Sequence, residues 1–185
     1  MAKCPVCNSR KGKRRCLIAE GFVCSLCCGE TRKEELCSEC GFYQAPTRNY
    51  NDVPAYTVVQ MDEDFELASF GNSIEGAICA YDVANGESLR DREAIRIVEL
   101  LIDKYHFQDQ EMTEQNPLIV AGVHFVDKAI QEDLNNLSNE AIVRLLGVIR
   151  FVARRRTRIG REYMNIIHQY VGLRVGKGVR SLPEF

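Results

Sequence analysis

The chain has 185 residues, with 24 Lys and Arg against 26 Asp and Glu, which gives a formal net charge of −2. Its 45% hydrophobic content is enough to bury a core in most of the chain. No apolar run is long enough to cross a membrane, so we expect no membrane-spanning segment. The first 45 residues are too few for a core of their own without an additional cross-link.

Cysteines supply that cross-link, because eight of the nine lie within the first 40 residues. Three of their intervals are Cys-x-x-Cys pairs, and each such pair supplies two thiolates from one tight turn. Eight thiolates suit two zinc ions, while one zinc ion with spare thiols is the simpler alternative. The candidate ligands are Cys4, Cys7, Cys16, Cys24, Cys27, Cys28, Cys37 and Cys40.

A disulfide framework is the main alternative to zinc, and secreted frameworks follow a signal peptide. Met1–Arg15 carries six Lys or Arg residues with no apolar run behind them, which favours a reducing, cytoplasmic location. Clustered cysteines in that compartment more often bind metal. An iron–sulfur cluster or a redox-active Cys-x-x-Cys pair are further alternatives.

Two ligand pairings use all eight cysteines. Asn8 follows Cys7 and Gly41 follows Cys40, and both residue types tolerate the positive φ that ends a knuckle. The middle group is ambiguous, since Cys24 and Cys27 form a pair but Cys28 precedes the glycine. The preferred pairing interleaves a site of Cys4, Cys7, Cys24 and Cys27 with one of Cys16, Cys28, Cys37 and Cys40. The other joins Cys4, Cys7, Cys16 and Cys28 beside Cys24, Cys27, Cys37 and Cys40.

In its paired cysteines over about 40 residues, this segment broadly resembles two-zinc cross-brace and treble-clef modules. RING-type modules usually place a histidine among their ligands, whereas His106, His124 and His168 all lie far downstream. No ubiquitin-ligase or phosphoinositide-binding activity is therefore carried over. The predicted fold is a small Cys-rich zinc module over residues 1–45, a linker over 46–60, and an all-α domain of about four helices over 61–185.

Apolar spacing predicts the helices of the second domain. A capping-box pattern at Ser88–Asp91 begins one helix, and Asn116 followed by Pro117 begins another. Ser138 caps a third helix, whose period runs on to Tyr170 with a break possible at Gly160. These three helices are the clearest of the predicted elements.

The remaining elements have weaker patterns. A helix near residues 73–84 is diluted by glycine, and residues 56–60 alternate as a strand does. The glycine-interrupted basic segment 172–180 is expected to be a mobile tail. Cys79 lies among apolar residues, which indicates a buried core position rather than a metal ligand.

Charge is unevenly distributed along the chain. Formal balances are +4 over residues 1–50, −14 over 51–140 and +8 over 141–185. Two zinc ions with eight thiolates would contribute −4 and cancel the excess of the first segment. Lysine and arginine near the cysteines therefore partly serve as counter-charges to thiolates.

Two groups of basic residues are candidate anion-binding surfaces. The first is the loop 10–15, which includes Arg14 and Arg15. The second is a stripe at helical spacing on one continuous helix, formed by Arg150, Arg154, Arg158 and Arg161. The competing interpretation is an internal ion-pair seam between this stripe and the acidic residues Asp62, Glu63, Asp64 and Glu66.

No motif of a known enzyme class is present, and an all-cysteine site lacks the open position of a catalytic zinc. We therefore predict no catalytic residues and no cofactor besides zinc. The predicted function is a zinc-stabilised binding or adaptor protein that acts through protein contacts. The alternatives are a nucleic-acid-binding protein that uses loop 10–15 and the arginine stripe 150–161, and a redox or metal-dependent enzyme.

Overall fold

The structure is a computed structural model that describes residues 3–16, 18–37, 40, 42, 48–157 and 160–182. The chain divides into two compact units, Met1–Asn49 and Tyr50–Phe185. The first contains the clustered cysteines and the second contains most of the helical residues. Each unit has its own cluster of buried side chains.

The first unit begins with a tight turn at Cys4–Cys7. Asn8, which follows the turn, has a φ of 51°, and its backbone N–H donates to the Cys4 carbonyl at 2.8 Å. An isolated antiparallel bridge pairs Lys3 with Lys11. The chain then forms the antiparallel strands β1 (Arg14–Cys16) and β2 (Gly21–Val23), followed by the short helices α1 (Ser25–Glu30) and α2 (Glu34–Cys37).

The second unit contains six helices and one small hairpin in its described part, more than the four helices expected. After a 3₁₀ turn at Tyr50–Asp52, the helices are α3 (Val58–Glu63), α4 (Phe65–Ala84), α5 (Asp91–Tyr105), α6 (Pro117–Asp133), α7 (Asn139–Arg156) and α8 (Glu162–Tyr170). The antiparallel hairpin consists of β3 (Leu173–Gly176) and β4 (Val179–Ser181).

Local sequence explains where several helices begin. Asn116 precedes Pro117 at the start of α6, and its side chain accepts a hydrogen bond from the Leu118 N–H. At the start of α7, the Ser138 hydroxyl accepts a hydrogen bond from the Ala141 N–H. Both helix starts were predicted from the sequence. Two predictions were wrong. Residues 58–60 belong to helix α3 rather than to a strand, and α5 begins after Arg90 rather than after Ser88.

The long helix predicted from Ser138 to Tyr170 is interrupted. Helix α7 ends at Arg156, and α8 starts at Glu162. The buried carboxylate of Asp91 accepts from the Tyr163 and Met164 N–H groups at the start of α8, at 3.2 and 3.1 Å. This cap comes from the beginning of α5, so it could not be recognised from the local sequence.

The basic C-terminal segment forms the hairpin β3–β4 instead of an irregular tail. The Arg174 guanidinium donates to Asp133 at 2.7 Å and to Glu132 at 2.7 Å. These carboxylates raise the pKa of Arg174 above its ordinary value. The pairing attaches the hairpin to the end of α6.

The core of the second unit lies between α4, α5, α6, α7 and α8. Cys79 is fully buried there, in agreement with its predicted core role, and burial raises the pKa of its thiol. Gly122 lets α6 pack closely against α4 and α5, because a Cβ at this position would clash with Tyr81 of α4 and Ile97 of α5. In the described part of the chain, no helix combines the length and apolar character needed to cross a bilayer.

Candidate metal centre and binding surfaces

Four cysteine side chains of the first unit converge on one point. The sulfur atoms of Cys4, Cys7, Cys24 and Cys27 all lie within 4.8 Å of one another. Cys4, Cys24 and Cys27 are buried, and Cys7 is partly buried. Among the described residues, this is the only group of three or more potential ligands brought so close together.

Three local structures position these sulfur atoms. The turn ending at Asn8 presents Cys4 and Cys7 together, and the β1–β2 hairpin returns the chain to them. Cys24 is the N-cap of α1, and its sulfur accepts from the Cys27 N–H at 3.5 Å. The start of α1 therefore directs the sulfur atoms of Cys24 and Cys27 towards those of Cys4 and Cys7.

The geometry fits a tetrahedral thiolate site. A zinc–sulfur bond of about 2.3 Å implies sulfur–sulfur separations of about 3.8 Å around a tetrahedron. The Cys7 and Cys24 sulfur atoms are 3.9 Å apart, nearly twice the length of a disulfide bond at about 2.05 Å. The four cysteines could therefore hold one metal ion.

The thiols of the cluster do not lose their protons equally easily. Hydrogen bonds from the Ser9 hydroxyl and from the Ser9 and Arg10 backbone lower the pKa of Cys7 to about 5. In contrast, the hydrogen bond with Cys24, burial, and the remaining sulfurs raise the pKa of Cys27 to about 12. Cys7 therefore favours the thiolate form, whereas Cys27 resists losing its proton. A bound cation would stabilise negative charge on all four sulfurs.

The structure does not bring the other four candidate ligands into such a group. Cys16, Cys28, Cys37 and Cys40 are all partly buried. The Cys16 sulfur accepts from the Ala19 N–H at 3.4 Å, and the Cys40 N–H donates to the Cys37 carbonyl at 2.8 Å. Their role as ligands of a second metal stays a prediction.

The two arginines of the basic loop have different environments. Arg14 is partly buried, with Nη1 3.8 Å from the Cys28 sulfur and its guanidinium 5.4 Å from the centre of the Phe42 ring. Arg15 is exposed. In the described structure, Arg14 is the loop arginine with a contact to a thiol, as the counter-charge interpretation expects.

The arginine stripe does not lie on one continuous helix. Arg150 is buried, its Nε donates to Glu99 at 2.8 Å, and its guanidinium stacks 4.9 Å from the centre of the Tyr50 ring. Arg154 is 58% exposed and 3.7 Å from the same carboxylate. Arg158 lies outside the described residues.

Arg161 belongs to a buried polar network between α4 and α8. Its guanidinium contacts Asp82 at 2.8 Å and also donates to the Glu87 and Leu89 carbonyls. Asp82 is fully buried and additionally bonds His168 at 2.8 Å and the Leu89 N–H at 2.8 Å. In the described part of the stripe, Arg150 and Arg154 thus lie beside Glu99 and Arg161 beside Asp82, and none of the three pairs with the acidic run at residues 62–66.

A cleft of about 710 Å³, which was not predicted from the sequence, lies between α3, α4 and α7. Apolar side chains cover much of its walls, among them Val58, Met61, Val148, Phe151 and Val152. Its polar lining comes from Asp62, Asn72, Glu75, Arg155 and Arg156. One signal was available in the sequence: α7 carries more apolar residues, Phe151 and Val152 among them, than one buried helix face needs.

Glu75 is the unusual polar group of this cleft. Burial raises its pKa to about 7, although the Tyr163 hydroxyl partly opposes the shift by donating to the carboxylate at 2.8 Å. Phe151, on the opposite helix, is 47% exposed. The Arg155 guanidinium lies 5.3 Å from the centre of that ring.

The chain matches no known protein family, no curated protein and no solved structure. The geometry of its own side chains is therefore the basis for inferring a function.

Proposed function

We propose that this chain is a zinc-stabilised binding protein. The convergence of four cysteine sulfurs within 4.8 Å is the observation that carries the zinc assignment. Thiolates are soft ligands that zinc accepts in tetrahedral structural sites. The order of a cysteine turn, a hairpin and a helix that begins with the second cysteine pair is that of a treble clef. Four protein ligands leave no open position, so the metal has a structural role.

A second zinc ion held by Cys16, Cys28, Cys37 and Cys40 belongs to the same proposal. These four cysteines remain after the first site is complete, which matches the interleaved pairing. The Cys40 N–H donates to the Cys37 carbonyl, as in a knuckle that presents two sulfurs. Arg14 beside the Cys28 sulfur would favour its thiolate form.

Elemental analysis of three cysteine variants tests both sites. We expect two zinc ions in the parent, a loss of at least one in Cys24→Ser and in Cys28→Ser, and none lost in Cys79→Ser. Cys79 is the matched control because it is buried in the other unit. A parent value near one with silent Cys28→Ser would remove the second site, and a value near zero would contradict the zinc assignment.

The binding surface that we propose for a partner protein is the cleft between α3, α4 and α7. Its volume lies within the range typical of ligand sites, and half-exposed Val58 and Phe151 lie on opposite walls. Its apolar wall could accept the apolar face of an amphipathic helix, as grooves between helices do in other complexes. The exposed Arg155 and Arg156 would then contact acidic side chains beside that face.

Internal pairing of the arginines supports a protein partner over nucleic acid for this unit. Arg150 and Arg161 already contact Glu99 and Asp82, and both carboxylates are largely buried. Separating either pair to bind a phosphate would leave a charge buried without its partner, which costs several kcal/mol. The cleft requires no such rearrangement.

Partner docking is tested with one charged substitution in the cleft and one outside it. Phe151→Asp places a carboxylate in the apolar wall, whereas Val83→Asp changes a similarly exposed side chain of α4 that does not line the cleft. We expect proteins that co-purify from cells of the source organism with the parent and Val83→Asp to be lost with Phe151→Asp. The purified partner should then bind Phe151→Asp at least tenfold more weakly. Equal recovery with both variants would contradict docking in the cleft.

A further inference from the structure

The basic segment of the first unit exposes every second residue. Lys11, Lys13 and Arg15 are exposed, whereas the residues between them are partly buried. Arg14 and Arg15 belong to β1, and the Lys13 N–H extends the pairing by donating to the Val23 carbonyl at 2.9 Å. Arg15 projects from one face of the hairpin, and Lys11 and Lys13 lie just before β1. Three positive charges are therefore exposed within five residues of the chain.

An aromatic side chain lies on the same face. Phe22 pairs directly with Arg15 across the β1–β2 hairpin, so both side chains project to the same side. Phe22 is 53% exposed, although it is one of the largest apolar side chains of the unit. Gly12 keeps the basic segment close to this strand, because a Cβ there would clash with the Phe22 carbonyl.

The basic residues of this face repel one another in the free protein. Lys3 and Lys11 are paired in the antiparallel bridge, where directly opposed like charges are unfavourable. Within the described part of the chain, no carboxylate forms an ion pair with Lys3, Lys11, Lys13 or Arg15. An external anion that spans several of them would relieve this repulsion.

We propose that this hairpin face binds single-stranded nucleic acid. Lys11, Lys13 and Arg15, all exposed within five residues of the chain, would contact backbone phosphates. The exposed ring of Phe22 would stack on an unpaired base. A duplex keeps its bases stacked on one another and cannot use the ring in this way. This surface is distinct from the cleft, and its function does not depend on a partner protein in that cleft.

Fluorescence anisotropy of the zinc-loaded full chain with a labelled oligothymidine of about 15 nucleotides tests the proposal. We expect binding at 50 mM salt that weakens toward 200 mM, and weaker binding of a duplex of the same length. Phe22→Ala should weaken single-strand binding about tenfold or more, the effect of losing one stacked base. Phe22→Tyr should retain the parent affinity, because it keeps an aromatic face.

Charge is tested separately with Lys11→Gln, Lys13→Gln and Arg15→Gln combined. The slope of log affinity against log salt should fall by about two, or about 0.7 for each lost phosphate contact. Leu26→Ala is the matched control, because Leu26 is 52% exposed on α1, and it should change neither quantity. Zinc content of each variant confirms that the module is intact.

Three outcomes would overturn the proposal. They are absence of binding at 50 mM salt, equal affinity for the duplex and the single strand, and full affinity in zinc-loaded Phe22→Ala. If heparin displaced the oligonucleotide from Phe22→Ala and the parent equally well, the surface would be a general polyanion site without base stacking.

Discussion

The two units of this chain fill their interiors in different ways. In the first unit the described buried cluster consists of Val23 and three cysteines, Cys4, Cys24 and Cys27. In the second, 29 described residues form a continuous apolar core. A segment of fewer than 50 residues buries little apolar surface on folding, and in the proposed zinc-bound form metal–thiolate bonds would replace the missing core.

This difference changes which side chains each unit exposes. Phe22, Leu26 and Leu36 of the first unit are each more than half exposed, because its interior is occupied by sulfur atoms. The second unit also exposes apolar side chains such as Val59 and Phe65, but it buries a continuous apolar core and even several charged side chains, which pair internally. In the proposed zinc-bound form, the first unit would present these apolar groups for contacts at little cost to its own folding.

The largest effect that separates the two units should come from removing the metal. A strong chelator should unfold the first unit, because structural zinc contributes on the order of 10 kcal/mol or more to folding. Hydrogen exchange followed by mass spectrometry should show lost protection over residues 3–37. Amides of α5 and α7 should keep theirs. Loss of protection in those helices as well would contradict the independence of the two cores.

The sequence predicted local features of this fold better than contacts between distant segments. The starts of α6 and α7 were correct because Asn116, Pro117 and Ser138 act on the helix that they immediately precede. The gap between α7 and α8 was only suggested by Gly160. The start of α8, which ends this gap, is capped by Asp91, more than seventy positions earlier in the chain. No periodicity argument can identify a cap supplied from such a distance.

The same limit applies to the functional residues. The cysteine spacing left two ligand pairings open. The β1–β2 hairpin brings Cys24 to Cys7, as the preferred pairing requires. Residues 62–66 were one candidate partner in the internal-seam interpretation of the arginine stripe, but Arg150 and Arg161 contact Glu99 and Asp82. Which helix faces meet depends on packing of the whole unit, so the acidic run could not be distinguished from other carboxylates.

The next largest effect should come from the polar network of the second unit. Asp82→Ala removes a fully buried carboxylate and leaves Arg161, His168 and the Leu89 N–H without this acceptor. Losing one member of a buried ion pair typically costs about 3–5 kcal/mol. Urea denaturation followed by far-UV circular dichroism should show this loss at unchanged zinc content.

Asp62→Ala is the matched control for that measurement, because Asp62 is exposed and forms no ion pair in the described structure. Its free energy of unfolding should change by no more than about 0.5 kcal/mol. A similarly small change in Asp82→Ala would mean that the network contributes little to holding α8 against α4. Loss of zinc in Asp82→Ala would instead mean that the two units are energetically coupled.

The smallest of these effects depends on pH and concerns Glu75 in the cleft. Burial raises the pKa of Glu75 to about 7, whereas an unfolded glutamate titrates near 4.3. The folded state therefore binds more protons between these values, and stability should fall as the pH rises from about 4 to about 7. Above pH 7 the loss is complete and stays constant. Because the cleft admits solvent, we expect a loss on the order of 2 kcal/mol.

Glu75→Gln should remove this pH dependence, since the amide cannot ionise but its oxygen still accepts from the Tyr163 hydroxyl. The variant should match the parent near pH 4 and exceed its free energy of unfolding by about 2 kcal/mol above pH 7. Glu66→Gln, at an exposed position of α4, serves as the control and should follow the parent at every pH. A constant difference between Glu75→Gln and the parent would show that Glu75 titrates as an exposed carboxylate. The Glu75 carboxylate would then be open to water rather than buried beside Tyr163.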